Sequence, residues 1–270
     1  MAAITLSGIY IYPIKSAGGI SLETSQVGNL GFEYDRRWML VDERGKFLTQ
    51  RQLPRMALIK VQLAEDCLVV EAPNQPKLAI PLQPNRSDRI SVQVWNDICE
   101  AIPLDIEISQ WFSEFLEIPC QLVYMPDNSC RPVNPRYARN QEQVSFADGF
   151  PFLLISEASL QDLNNRLDRP IPMNRFRPNL VVSGCEAFAE DTWHQIHIGS
   201  ISFRVAKPCS RCTITTVEQS HGMREKEPLI TLAQYRLRNG QIFFGQNLIQ
   251  EQLGQLQVGD TVAIDVIGDG

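Results

Sequence analysis

The sequence predicts a mostly β protein with a few helices, of the α+β class. Short runs that alternate apolar with polar residues, closed by turn residues, fill the first hundred positions. Only three segments carry a helical period, and no fixed repeat or low-complexity tract appears, which removes solenoids and arrays. A length of 270 residues suits one large β-rich body or two closely packed halves with a proper core.

Taken in order, SGIYIYPIK sets Ile9 and Ile11 against Tyr10 and Tyr12, the period of a half-buried strand. RWMLVDERGKFLT places a DERG turn between two apolar runs and reads as a hairpin. DIEISQWFSEFLEI brings Trp111, Phe112, Phe115 and Leu116 to one side of a helix. The next stretch, residues 125–143, is rich in Pro, Asn and Arg and reads as a domain junction or an active-site loop. SEASLQDLNNRL opens with a Ser suited to an N-cap and continues as a short helix. NLVVSG, HIGSISFRVA, the β-branched CTITTV and the closing VGDTVAIDV read as strands, with PLITLAQYRL a third helix.

With 25 Lys and Arg against 31 Asp and Glu, the net charge of −6 gives no footprint for nucleic acid or an anionic membrane. The first sixteen residues lack a basic leader and a cleavage signal, and no run of about 18 apolar residues occurs, so a cytoplasmic protein without a membrane partner is expected. Seven scattered cysteines, an odd number, fit a reducing compartment. Serine hydrolase, P-loop, dinucleotide-binding and zincin motifs are missing.

The stretch AKPCSRCTITTV holds Cys209 and Cys212 three positions apart. A thioredoxin-type pair opens a helix, whereas a strand-forming run follows Cys212, so the redox reading loses its electrostatic support. Structural zinc would need about four ligands, and no second such pair exists. Three readings stay open: two buried small hydrophobes, one thiolate on a metal or cofactor, or a nucleophilic or sulfur-carrying cysteine. Lys207 and Arg211 would stabilise a thiolate, and Pro208 stiffens the approach, which suits presenting a sulfur better than building a core. Lys15, Arg36, Arg177 and Arg211 lie at strand edges or turns of an acidic chain, where together they would hold a phosphate or another anion.

Seven ordered motifs then resemble one family across nearly the whole chain. They are YPIKS at 12–16, DRRW at 35–38, PFLLISEASLQDLN at 151–164, NRFRPNLVVSGCEAFAED at 174–191, CSRCTITTV at 209–217, KEPLITL at 226–232 and FGQN at 244–247. They are similar to MOSC-domain proteins with an N-terminal β-rich companion, the group of the mitochondrial amidoxime-reducing components and their bacterial molybdenum relatives. The resemblance implies an antiparallel β domain over residues 1–125 packed on a MOSC β-barrel domain over 126–270. It implies a molybdenum cofactor (Mo-molybdopterin) between the two, with the second cysteine of the C-x-R-C motif, Cys212, as catalytic residue and the protein's metal ligand. A soft thiolate agrees with that role.

By the same resemblance Lys15, Ser16, Arg36 and Arg177 grip the pterin and its phosphate, with Ser210 and Arg211 beside the metal ligand. Asp148, Gly149 and Phe150 stand where relatives have Asp-Thr-Ser, so cofactor contacts at 149 and 150 would come from the backbone. Asn247 occupies the place of a tyrosine in animal relatives, as cofactor contact or site lining. The implied activity is two-electron reduction of N-hydroxylated small molecules such as hydroxylamines, amidoximes and hydroxylated bases. No C-x4-C-x2-C spacing for an iron–sulfur cluster is present, so electrons would arrive from a separate ferredoxin, flavodoxin or cytochrome-type donor with its reductase. Arg131, in the 125–140 loop, is expected to face substrate. A rival from another class is a cofactor-binding or sulfur-carrying module without reductase activity, with Cys212 bearing the sulfur.

Overall fold

A computed structural model describes residues 3–267 and shows an α+β protein in which strands dominate. The largest sheet runs in the order Val262–Ile267, Trp193–Ile198, Ile201–Ser210, Gln241–Gln250, Phe152–Ser156, Leu180–Ser183, Thr5–Ile11 and Ile20–Leu22, with Leu237–Arg238 added onto Gln241–Gln250. All of its pairings are antiparallel except Phe152–Ser156 with Leu180–Ser183. Those two parallel strands need a crossover, and helix α2, Glu157–Asn164, supplies part of it, capped by Ser156 Oγ accepting from the Ser159 N–H.

The sheet curls back on itself. Val262 N donates to Ile4 O, Gly259 N to Leu6 O and Leu6 N to Asp260 O, each at 2.8 Å, so the seventh strand of the run meets the approach to the first. Closure removes an exposed edge and encloses a core in which Leu6, Ile9, Ile11, Leu154, Leu180, Val182, Ile196, Phe203 and Leu248 are buried.

The N-terminal half carries a four-stranded sheet in the order Trp38–Val41, Gln121–Tyr124, Asp97–Pro103 and Ile90–Val94, and a three-stranded one of Lys60–Leu63, Cys67–Glu71 and Leu78–Pro81. Helix α1, Ile106–Leu116, lays Trp111, Phe112, Phe115 and Leu116 onto the core they share, as their spacing predicts. A further sheet joins Gly254–Gln257 to Thr24–Gly28 and Gly31–Phe32, while the third α-helix, α3, covers Leu229–Tyr235. The 125–143 stretch contains neither helix nor named strand.

One expected strand is absent. Thr213–Thr216 form a single 3-10 turn, where the β-branched run predicts extended backbone. Thr215 Oγ1 donates to Cys212 O at 3.0 Å and Thr216 Oγ1 to Thr213 O at 2.8 Å, so the threonine hydroxyls close the turn that β propensity opposes. The cysteine pair therefore lies at the end of one strand, Ile201–Ser210, and not in a loop between two.

Candidate functional site

The eleven residues assigned to cofactor and metal come from six separate stretches, and all of them line one cavity of about 130 Å³. Lys15 and Ser16 follow the Tyr-Pro step beyond Thr5–Ile11, and Arg36 sits just ahead of Trp38–Val41. Asp148, Gly149 and Phe150 precede Phe152–Ser156, and Arg177 precedes Leu180–Ser183. Ser210, Arg211 and Cys212 close Ile201–Ser210, and the neighbouring strand brings in Asn247, which pairs with Lys207. The pairing shifts between Val205 and Lys207 and again between Pro208 and Ser210, irregularities that re-aim the side chains of the cysteine segment.

Three site residues have left-handed backbone: Ser16 at φ 68°, Arg36 at 50° and Arg177 at 57°. Such non-glycine conformations cost on the order of 1 kcal/mol or more each and persist where their surroundings impose them. Here the surroundings centre on Tyr12, buried, whose ring carries the Arg177 guanidinium at 4.2 Å and the Arg36 guanidinium at 4.3 Å. Arg36 Nη1 also donates to Asp35 Oδ2 at 2.6 Å and to Asn179 Oδ1 at 3.0 Å, and Arg177 Nη1 to Ala17 O at 2.7 Å. Burial, with the Arg36 guanidinium adding to it, brings Arg177 down to about 10, which leaves it charged at neutral pH.

Lys15 is 5% exposed, and its Nζ donates to Phe146 O and to Asp148 Oδ1, both at 2.6 Å. Burial lowers its ammonium to about 8 in spite of the Asp148 carboxylate. Burial acts to raise Asp148, but the Lys15 ammonium against it, Arg51 nearby and the Trp95 Nε1 donor at 3.2 Å outweigh this and hold the carboxyl well below the usual range. A Cβ built on Gly149 meets nothing within 4 Å, so the cavity has room where relatives carry a side chain.

At the sulfur end, Arg211 Nη1 donates to Cys209 Sγ at 3.0 Å and its Nη2 to Phe176 O at 2.7 Å, while its buried Nε has no partner. Behind the turn that follows Cys212, the fully buried Arg175 donates to Thr215 O at 2.8 Å and to the Glu218 and Glu225 carboxylates. It therefore braces the cysteine segment, whereas its neighbour Arg177 enters the cavity.

Arg131 does not face substrate. It is 1% exposed and spends its donors on Ser145 O, Ala147 O, Asp148 O and the Asp97 carboxylate, so it props the backbone of the 145–148 segment from behind. Sequence reasoning missed Arg51 and Trp95: Arg51 Nη1 lies 3.7 Å from Cys212 Sγ, and its guanidinium rests 4.2 Å from the Trp95 ring. No motif marks either residue. Asn179, which orients Arg36, was legible as the last letter of the FRPN motif.

Among the described residues no cluster of three or more His, Cys, Asp or Glu stands ready to hold a metal ion alone, and no helix is long and apolar enough to cross a membrane. The donor set fits a phosphate-bearing pterin with a soft metal: guanidiniums from Arg36, Arg177 and Arg211, the unpartnered Arg211 Nε, and the thiols of Cys209 and Cys212 at the wall.

The chain matches the MOSC N-terminal beta barrel domain over residues 3–119 and the MOSC domain over 141–263. It is 36% identical to mitochondrial amidoxime-reducing component 1 of Mus musculus over 96% of this chain and 81% of that protein. It is also 36% identical to mitochondrial amidoxime reducing component 2 of Bos taurus, over 96% and 82% respectively. A crystal structure of YUAD protein from Bacillus subtilis aligns over 97% of this chain and 94% of that one at 14% identity, with a TM-score of 0.44. From its paired domains and its identity with these relatives, the chain belongs to the MOSC-domain family that includes the mitochondrial amidoxime-reducing components.

Proposed function

We propose that this protein is a molybdenum-cofactor-dependent reductase of N-hydroxylated compounds. The observation that carries the reading is the convergence of eleven residues from six stretches on one cation-rich cavity with a thiol in its wall. The net reaction cleaves an N–O bond with two electrons and two protons, releasing the amine or amidine and water. Bound there, the cofactor would supply the two-electron redox chemistry that N–O cleavage needs.

The chain's own residues do the rest. Cys212 Sγ is the metal ligand, and Arg36, Arg177 and Arg211 hold the cofactor's anionic end. Lys15 Nζ stores a proton at the cavity wall, bonded to the 58%-exposed Asp148 carboxylate that meets the open cleft. Ser16, Gly149, Phe150, Ser210 and Asn247 shape the seat, with backbone groups as the polar contacts at 149 and 150. The two halves of the chain meet near residue 125, and a separate redox protein delivers the electrons.

The test is molybdenum content of wild type and Cys212→Ser, each purified from a host that makes the cofactor and from one that cannot. Near-stoichiometric metal only in wild type from the competent host, with turnover of an amidoxime by an artificial electron donor, supports the reading. Equal emptiness of both proteins overturns it, and sulfane sulfur on Cys212 in place of metal would establish the sulfur-carrier rival.

A further inference from the structure

Cys212 stands at the boundary of two chambers. The inner one holds Arg36, Arg177 and Arg211. The outer one, about 390 Å³, is continuous with it through seven shared residues, Asp148, Cys209 and Cys212 among them, but adds Arg51, Trp95 and Lys207. With a cofactor in the inner one, the outer chamber is the space left beside Cys212 for a substrate.

The charges of the outer chamber do not balance. Its two carboxylates already have partners, Asp97 with Arg131 at 2.9 Å and Asp148 with Lys15 at 2.6 Å. Among the described residues, Arg51 and Lys207 have no carboxylate within 4 Å. Beside them lies an aromatic plate: the Trp95 ring, 43% exposed, is held by its Nε1 bond to Asp148, by Arg51 at 4.2 Å and by Phe47 at 5.2 Å. The backbone of Trp95 is left-handed, at φ 59°, so this exposed indole is set in place by an unfavourable conformation. Lys207, without a carboxylate partner, and Arg51, which reaches Asp148 only at longer range than Lys15 does, line the same chamber as a fixed, exposed aromatic ring, and together these are the recognition elements for a planar group bearing negative charge.

Building on the reductase reading, the geometry points to Arg51, Lys207 and Trp95 as specificity residues that select N-hydroxylated substrates carrying an anionic substituent, carboxylate or phosphate, on a planar ring. The inner cations serve the cofactor, and the outer pair serves the substrate. The Arg51 guanidinium, 3.7 Å from Cys212 Sγ, would fix the anion close to the reacting bond.

The test uses protein from the cofactor-producing host and two readouts. In the first, binding of benzoate against benzamide, and of cytidine 5′-monophosphate against cytidine, is followed by calorimetry and tryptophan fluorescence, with Trp95→Phe identifying the signal. The anionic member of at least one pair should bind about tenfold more tightly, and added salt should erode the preference. A preference in one pair alone identifies the source of the anion, aromatic acid or nucleotide. In the second, the ratio of kcat/KM for 4-carboxybenzamidoxime over benzamidoxime should fall about tenfold in Arg51→Gln or Lys207→Gln and be largely restored by Arg51→Lys. Equal binding within both pairs, or an unchanged ratio in the double glutamine variant, overturns the assignment. Anion binding that persists where neither amidoxime is reduced would leave the anion site standing and sink the reductase reading instead.

Discussion

Replacing Lys15 by methionine separates what this side chain does for folding from what it does for the site. Its ammonium falls from an ordinary value of 10.5 to about 8 because burial disfavours the charge more than Asp148 restores it. The unfolded chain therefore holds this proton to higher pH than the folded one, so stability rises as pH climbs from about 8 to 10.5. That fall corresponds to about 3 kcal/mol, and with Lys15 only 5% exposed, solvent screening offers little discount. Methionine removes the penalty but leaves Phe146 O without its donor and Asp148 with only Arg51 and the Trp95 N–H, a loss of about 1–3 kcal/mol. The cofactor-free variant should thus be no less stable than wild type at pH 7, by up to about 2 kcal/mol in its favour. Urea unfolding of both proteins at half-unit steps from pH 7 to about 10.5 makes the decisive comparison, because groups that do not touch residue 15 cancel in the difference and the Asp148 carboxylate titrates well below this range. Wild type should gain on the variant by about 3 kcal/mol across that range. Parallel stability curves would refute the reasoning.

Three further predictions follow from the packing. Arg131→Met should lower stability by about 3–5 kcal/mol, since three backbone carbonyls and Asp97 lose a buried donor; urea unfolding measures the loss, and limited proteolysis should cut near residues 145–150. Gly245→Ala should cost about 2–4 kcal/mol, because at φ +80° its Cβ would meet Ile155 Cγ1 at 2.6 Å and Leu154 O at 2.8 Å; a thermal melt checks it. Glu142 is raised by burial but pulled further down, to about 2, by Arg204 and the Arg139 and Asn140 N–H groups. Its stabilisation is present above about pH 4.5 and fades toward pH 2, so Glu142→Gln should flatten acid unfolding in that window by up to about 3 kcal/mol.

The periods of the apolar residues were enough for the strand Thr5–Ile11, the helix around Trp111 and the Ser156 cap, because each is decided by local pattern. Thr213–Thr216 were misread because hydroxyl bonds to the preceding carbonyls, invisible to propensity, close the turn. Arg175 and Arg177 look alike in sequence, yet one is neutralised by carboxylates more than forty residues downstream and the other points at Tyr12. Arg131 is buried behind the 145–148 segment where the sequence predicts a substrate-facing residue, because nothing in a proline-rich stretch announces burial. The cavity residues were legible through ordered motifs, whereas Arg51 and Trp95 meet Cys212 only through folding of the whole chain.

The pairing of Thr5–Ile11 with Leu180–Ser183 also sets a timetable for synthesis. At about 5–20 residues per second, the first strand leaves the ribosome roughly 9–35 s before its partner is made. During that interval Leu6, Ile9 and Ile11, fully buried at the end, have only the three-residue strand Ile20–Leu22 to pair with. Slow loop closure over so long a span then adds to the delay. Nascent chains of this protein should therefore lean on holdase chaperones, and a stall in translation before residue 180 should leave a sticky, half-made barrel.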